Sequence, residues 1–218
     1  MRDFEYGHPD TLDAALALLS DSWGKVEVLA GGTDLITSIK QGITQPARVV
    51  SLKHVKELSG IQADGGALKV GAMTTLSDFI ANADVQKNFP ALVTAAKNIA
   101  APQILNMGTV GGDLLQRPRC WYFRQGFGLL ATHEGKSLVV GGDNRYHAIF
   151  GNEGPAYFVN PSSLAPALIA LDASVTLQNK SGARDVKVAE LFAAPKTDAD
   201  REYTVKPPGS RDRGARRI

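Results

Sequence analysis

The sequence predicts an α/β (α+β) fold in two subdomains, and three features predict it. Residues 25–52 read in succession as strand, glycine turn, helix and strand, the order of a β-α-β unit with a parallel strand pair. Beyond residue 55 the pattern changes to hairpins and short amphipathic helices. A Gly-Gly pair with a neighbouring Thr and a following Asp stands at Leu29-Ala30-Gly31-Gly32-Thr33-Asp34-Leu35 and again at Thr109-Val110-Gly111-Gly112-Asp113-Leu114, once in each part.

Phe4-Glu5-Tyr6 reads as a short strand. Asp10-Thr11 then caps a helix in which Leu12, Ala15, Leu16 and Leu19 share one face, running to about Ser20. Lys25 to Ala30 is the next strand, since Val26, Val28 and Ala30 alternate with polar positions. Asp34 to Gln41 is helical and ends at Gly42 as a C-cap. Pro46 to Leu52 supplies the strand that closes the first subdomain, residues 1–55.

The second subdomain, residues 56–194, opens with Leu58 to Ala63 and Ala67 to Gly71 flanking Asp64-Gly65-Gly66, a tight hairpin turn. Ser77 to Ala83 and Pro90 to Ala100 are helices; the second places Leu92, Val93, Ala96 and Ile99 on one face behind a permitted N-terminal proline. Residues 116–155 form an irregular insert around Arg117-Pro118-Arg119-Cys120-Trp121-Tyr122-Phe123, and a loop of that length is functional or mobile. Order resumes at Ala156 to Val159, with a helix over Leu164, Leu168 and Leu171, a strand at Ser174 to Gln178, a turn at Lys180-Ser181-Gly182 and a final segment at Val186 to Phe192. From Pro195 apolar periodicity ends, and Pro207-Pro208-Gly209-Ser210 leads into Arg211, Arg213, Arg216 and Arg217. Residues 195–218 are therefore expected to be a disordered basic tail.

Composition narrows the function. A net charge of +2 spread over 218 residues argues against a nucleic-acid or membrane-surface partner. No apolar run reaches the roughly 18 residues that cross a bilayer, and Met1-Arg2-Asp3 leads into no signal-peptide core, so a cytoplasmic location is expected. One cysteine, Cys120, excludes an internal disulfide and cannot alone hold zinc or an iron–sulfur cluster; a buried small hydrophobe is its expected role. His8, His54, His133 and His147 lack metal-ligand spacing.

Glycine lets a ligand approach the main chain closely, and bare N–H groups in such a turn bind anionic oxygens. The first motif also opens a helix, whose positive dipole end faces the turn. The two motifs together predict a two-loop pyrophosphate clamp. With no G-x-G-x-x-G run, it is not a Rossmann site. Of the four Gly pairs, at 31, 65, 111 and 141, two share the Thr and Asp context, and the pair at 65 is expected to be architectural.

Leu29 to Leu35, together with Gln103-Ile104-Leu105-Asn106-Met107-Gly108-Thr109-Val110-Gly111-Gly112-Asp113, resemble the FAD-contacting loops of the FAD-binding subunit in the xanthine dehydrogenase and carbon monoxide dehydrogenase family of molybdenum hydroxylases. The likeness covers most of residues 1–192. Leu115-Gln116-Arg117-Pro118-Arg119-Cys120 is similar to the aldehyde oxidoreductase branch, whose flavin subunit carries an inserted segment. The resemblance implies the two-subdomain FAD-binding fold of the vanillyl-alcohol-oxidase-like type, with FAD as cofactor. It implies a molybdopterin-binding subunit and a 2Fe–2S subunit as partners in a heteromeric complex. The implied function is electron transfer from the iron–sulfur centres to an acceptor, with no acid, base or nucleophile assigned. The cofactor-binding residues it implies are Leu29, Ala30, Gly31, Gly32, Thr33, Asp34, Leu35, Asn106, Thr109, Gly111, Gly112, Asp113 and Ser163.

Four departures from the family pattern carry expectations. The family's usual Asn is Asp113 here, and an extra carboxylate beside a pyrophosphate repels it unless the side chain turns away or meets a cation. The family's Arg is Leu105, and a frequent acidic residue that would bind the ribose side is Ser163. The branch's insert holds a 4Fe–4S cluster through four cysteines, of which only Cys120 stands here, so no cluster is expected. The family continues into a C-terminal domain where this chain turns to Pro, Gly and Arg, which a frameshift or truncation would explain. Two other functions stay open at this point: a flavin-free remnant that docks onto partner subunits, and a stand-alone flavin oxidase.

Overall fold

The structure, a computed structural model, describes residues 2–207. Its first part is a parallel sheet of β1 (Glu5–Gly7), β2 (Val26–Leu29) and β3 (Arg48–Ser51) in the order β1-β3-β2. Val49 and Val50 of the central strand are wholly buried, which is why β3 reads as an apolar run rather than an alternation. Helices α1 (Leu12–Ala17) and α2 (Leu35–Lys40) connect the strands and bury Ala15, Leu16 and Ile39. Thr11 caps α1 by accepting the Ala14 N–H at 3.3 Å, as its position predicted.

The hairpin of β4 (Ile61–Asp64) and β5 (Ala67–Val70) turns at Gly65 and Gly66, both at positive φ, the geometry of a two-residue hairpin loop. Five helices follow: α3 (Leu76–Ala81), α4 (Ala83–Asn88), α5 (Pro90–Lys97), α6 (Pro102–Met107) and α7 (Val110–Leu114). Leu76, Phe79, Val85, Leu92, Val93 and Ala96 form the main core with Leu164. Three of these helices, α4, α6 and α7, are absent from the sequence reading. The second glycine motif is a helix start rather than a loop, with Thr109 as the N-cap of α7 and both glycines inside its first turn.

The insert folds over its own small core of Cys120, Phe123, Leu129, Ala131 and Val139, around α8 (Trp121–Arg124) and the two-residue pair β6 (Thr132–His133) and β7 (Lys136–Ser137). Cys120 is buried there, as expected of it. Beyond the insert, α9 (Leu164–Ala170), the hairpin of β8 (Ser174–Asn179) and β9 (Gly182–Lys187), and α10 (Val188–Leu191) complete the described fold, with Leu114, Ala165 and Val188 between them.

Residues 195–207 depart from the expected disorder. Phe192 and Tyr203 form an antiparallel bridge, the Thr204 N–H donates to Leu191 O at 2.8 Å, and Glu202 is buried. Polar anchors hold this segment in place of an apolar stripe. Asp198 Oδ1 accepts the Leu130 N–H at 2.7 Å, and Arg117 pairs with Glu202 at 2.6 Å. The remaining tail expectation, with Arg211, Arg213, Arg216 and Arg217, lies outside the described residues.

Candidate functional site

The two glycine motifs meet. Leu29 ends β2, Ala30 to Asp34 form the turn, and Leu35 begins α2. A Cβ built on Gly31 would collide with the Met107 carbonyl, and one on Gly112 would lie 4.0 Å from the Ala30 Cβ. Gly31 is therefore required by the close approach of the second motif, and Gly32 by its φ of +79°. Among the described residues, the N–H groups of Gly31, Gly32, Thr33, Asp34 and Leu35 have no acceptor in the protein. These five consecutive donors lie on a part-exposed turn at the positive end of α2.

The second motif differs from the first in how its donors are used. Its donors are already used: Val110 N–H to Thr74 O at 3.0 Å, Gly111 N–H to Ala72 O at 2.9 Å, Gly112 N–H to Thr109 Oγ1 at 3.1 Å, and Asp113 N–H to Thr109 O at 2.9 Å. Gly111 lacks a side chain because Ala72 packs against it, where a Cβ would stand 2.9 Å from the Ala72 Cβ. Thr109, Gly111 and Gly112 thus form a capped helix start that backs the first turn, with the N–H groups of Val110 to Asp113 all bonded within the protein. Asn106 is exposed, its Oδ1 taken by the Ser77 hydroxyl at 2.6 Å.

Asp113 turns away from both turns. Its Oδ2 accepts from Ser162 Oγ at 2.5 Å and from the Leu164 N–H at 3.2 Å at the start of α9, while its Oδ1 accepts from Gln116 Nε2 at 2.9 Å. Burial raises its pKa above the usual carboxylate value, against the opposing effect of these hydrogen bonds. The side chain thus turns away from the turn, one of the two arrangements that the sequence left open for it, and joins α7 to α9. Ser163 is exposed at the N-cap of α9, with no side-chain cap bond; the polar work there falls to its neighbour Ser162.

Asp34 also faces inward, toward the insert. Its carboxylate accepts the Arg117 N–H at 2.9 Å, Arg119 Nη1 at 2.7 Å and Arg124 Nη2 at 2.8 Å. Burial pushes its pKa up, but the Arg117 N–H and the two guanidiniums outweigh burial and hold it below the usual carboxylate value. The sequence singles out Arg117 and Arg119 only within the branch-like stretch Leu115 to Cys120 and gives no sign of their partner, which lies more than 80 positions away in sequence.

Behind the first turn lies a second charged group that sequence reasoning missed. Arg117 Nε lies 2.6 Å from Glu202 Oε1, with the N–H poorly aligned, so the contact is an ion pair rather than a hydrogen bond. Glu27, on β2, meets Arg201 Nη2 at 3.5 Å, and the Arg201 guanidinium lies over the Trp23 ring at 4.9 Å. Burial raises the pKa values of Glu27 and Glu202 despite the nearby Arg117. Tyr203 donates to Leu115 O at 3.1 Å, and burial pushes its hydroxyl pKa well up.

A cleft of about 670 Å³ lies elsewhere, between α1 and the β8–β9 turn, lined by residues such as Asp13, Leu16 and Lys180. No group of three or more metal-ligating side chains exists among the described residues, and no helix there is long and apolar enough to cross a membrane.

Fold and site together define a mixed helix and strand protein with a glycine turn of unused main-chain donors. Residues 2–206 match the family described as FAD binding domain in molybdopterin dehydrogenase; the chain belongs to this family, whose cofactor is FAD. It is 40% identical over 111 residues to the carbon monoxide dehydrogenase medium chain of Hydrogenophaga pseudoflava, covering 51% of this chain and 39% of that one. It is 30% identical over 200 residues to the aldehyde oxidoreductase FAD-binding subunit PaoB of Escherichia coli strain K12, covering 89% and 62%. The solved structure of reconstituted CO dehydrogenase from Oligotropha carboxidovorans superposes with a TM-score of 0.67 at 22% identity, covering 95% of this chain and 56% of that chain, a likeness of fold. The chain thus spans less than two thirds of the length of these relatives.

Proposed function

We propose that this chain is the FAD-binding, electron-transferring part of a molybdenum hydroxylase complex, an oxidoreductase flavoprotein that passes electrons from iron–sulfur centres on a partner subunit to an acceptor. The observation that carries this reading is the run of five unused N–H donors from Gly31 to Leu35 in a chain of an FAD-binding family. The residues fit the group. A pyrophosphate needs several convergent donors and a close main chain, and Gly31 and Gly32 leave the turn free of side chains on both counts.

In this reading Leu29 and Ala30 shape the approach, and Gly31, Gly32, Thr33, Asp34 and Leu35 bind through their main chain. Thr109, Gly111, Gly112 and Asp113 fix the wall against which the turn rests. Asn106 and Ser163, both exposed, meet the outer parts of the cofactor in this reading. The two subdomains, residues 1–55 and 56–194, grip an extended FAD between them in the manner of the vanillyl-alcohol-oxidase-like fold. Bound flavin supplies the electron-transfer chemistry, while the chain binds, orients and shields it. The partners are a molybdopterin-binding subunit and a 2Fe–2S subunit, in the cytoplasm. This extends to the present chain what its relatives' names say of them, as FAD-binding subunits and medium chains of dehydrogenases.

The test is flavin uptake. The purified chain mixed with FAD and desalted should retain a flavin spectrum, and Gly31→Ala should lower FAD affinity at least about tenfold, because its Cβ displaces the turn from Met107. A chain that assembles with partner subunits yet takes up no FAD would favour a flavin-free docking role. Peroxide production by the isolated chain on a substrate of its own would favour an oxidase.

A further inference from the structure

Asp34 occupies the N-cap position of α2, where an aspartate ordinarily accepts N–H groups of its own helix. It makes no such bond. Its side chain is 17% exposed and is drawn into the insert. There Arg124, 15% exposed, spreads its guanidinium over four acceptors: Nε to Pro118 O at 2.8 Å, Nη1 to Ser38 Oγ at 2.9 Å, and Nη2 to Asp34 Oδ1 at 2.8 Å and Arg117 O at 3.1 Å. Arg119, more exposed at 53%, reaches the same Oδ1 and is braced by Gln116 Oε1. Ser38 lies on the buried face of α2, so the fork holds the helix and the turn as one piece.

The geometry points to Arg124, assisted by Arg119, as a positioning residue for the FAD turn: it holds and neutralises the Asp34 carboxylate so that the donors from Gly31 to Leu35 stay open to a pyrophosphate. This rests on the reading of that turn as the FAD site. One physical effect follows from the arrangement. An Asp34 carboxylate released from Arg124 would keep its charge unpaired beside the Gly31 to Leu35 donors and repel a dianion at short range. Only a planar fork satisfies four acceptors in fixed directions, so lysine cannot replace it fully.

The experiment is a double-mutant cycle on FAD affinity, read by flavin fluorescence quenching, with Arg124→Gln, Asp34→Asn and their combination. Arg124→Gln is expected to weaken FAD binding by about tenfold in the wild-type background. In the Asp34→Asn background, where the carboxylate charge is gone, it should weaken binding less than about threefold. Arg119→Gln, at an exposed position that tolerates substitution, should weaken binding by about threefold and keeps the test decisive if Arg124→Gln does not fold. Equal losses for Arg124→Gln in both backgrounds, or none, with wild-type protein still binding FAD, would overturn the positioning role. A wild-type protein that takes up no FAD would instead overturn the assignment of the turn itself, and this inference with it.

Discussion

The Asp113 carboxylate receives hydrogens from the Ser162 hydroxyl, the Leu164 N–H and Gln116 Nε2, a set made only of donors. Asparagine, the family's usual residue there, would present an amide nitrogen to one of them. Asp113→Asn is therefore expected to cost about 1–2 kcal/mol of stability, while FAD affinity changes by less than about threefold, because the side chain faces α9 and not the turn. Urea unfolding and an FAD titration on the same protein would check both. The pH dependence has a definite sign. The folded pKa is raised from its ordinary 3.8, so this group's stabilisation is complete below that value and is lost as pH rises through the folded pKa. The advantage of wild type over Asp113→Asn should therefore shrink from acid toward neutral pH. At this scale the sequence was informative in part. Gly31 and Gly32 announce a main-chain turn, but whether a neighbouring Asp faces a ligand or another helix depends on which residues pack beside it, and Ser162 lies 49 positions away.

The segment 195–207 is tied down by charge rather than by apolar contact, and its stability should respond accordingly. Glu202→Ala leaves the Arg117 guanidinium without its partner and should cost about 2 kcal/mol, less than a fully buried pair because Arg117 keeps some contact with water. Replacing both, Arg117→Met with Glu202→Leu, should cost less than the single change, since no uncompensated charge remains. Chemical denaturation of the three variants would distinguish a charge anchor from simple packing. Glu27 and Glu202 both have pKa values raised from 4.5, by burial above all. Their protonated forms stabilise the fold fully below that value and lose this effect as pH rises through the folded values. Asp34 runs the other way: its lowered pKa gives stability above 3.8 that is lost as pH falls through the folded value. Glu27→Gln should accordingly flatten the fall in stability from mildly acidic to neutral pH, while Asp34→Asn should flatten the loss in strong acid. None of these anchors follows a period of two or 3.6 residues, which is why apolar patterning gave no hint of order beyond Pro195.

For the molecule as a whole, the elements with a strong local signature were legible in advance. The parallel β2–β3 pair, the Gly65-Gly66 hairpin and the helix starting at Pro90 stand where alternation, turn chemistry and capping placed them, while the place of β1 beside β3 was not foreseen. The insert was not, because its small core draws residues from positions 120 to 139 with no repeating spacing, and its link to Asp34 crosses more than 80 residues. The pairing of the two glycine motifs came from their shared sequence, yet only the hydrogen bonds already made by Val110 to Asp113 distinguish a donor turn from the wall behind it. FAD at a hundredfold excess over its dissociation constant should raise the unfolding free energy by about 2.7 kcal/mol, visible as a higher thermal midpoint that depends on FAD concentration.

The central claim is that the first glycine turn supplies the donors for the FAD pyrophosphate and the second supports it. Amide spectra of ¹⁵N-labelled protein titrated with FAD test this most directly. The account predicts that the Gly31, Gly32, Thr33, Asp34 and Leu35 amides move strongly toward hydrogen-bonded shifts, while those of Gly111 and Gly112, already bonded to Ala72 O and Thr109 Oγ1, move little. Large shifts at Gly111 and Gly112 with none at Gly31 to Leu35 would contradict it.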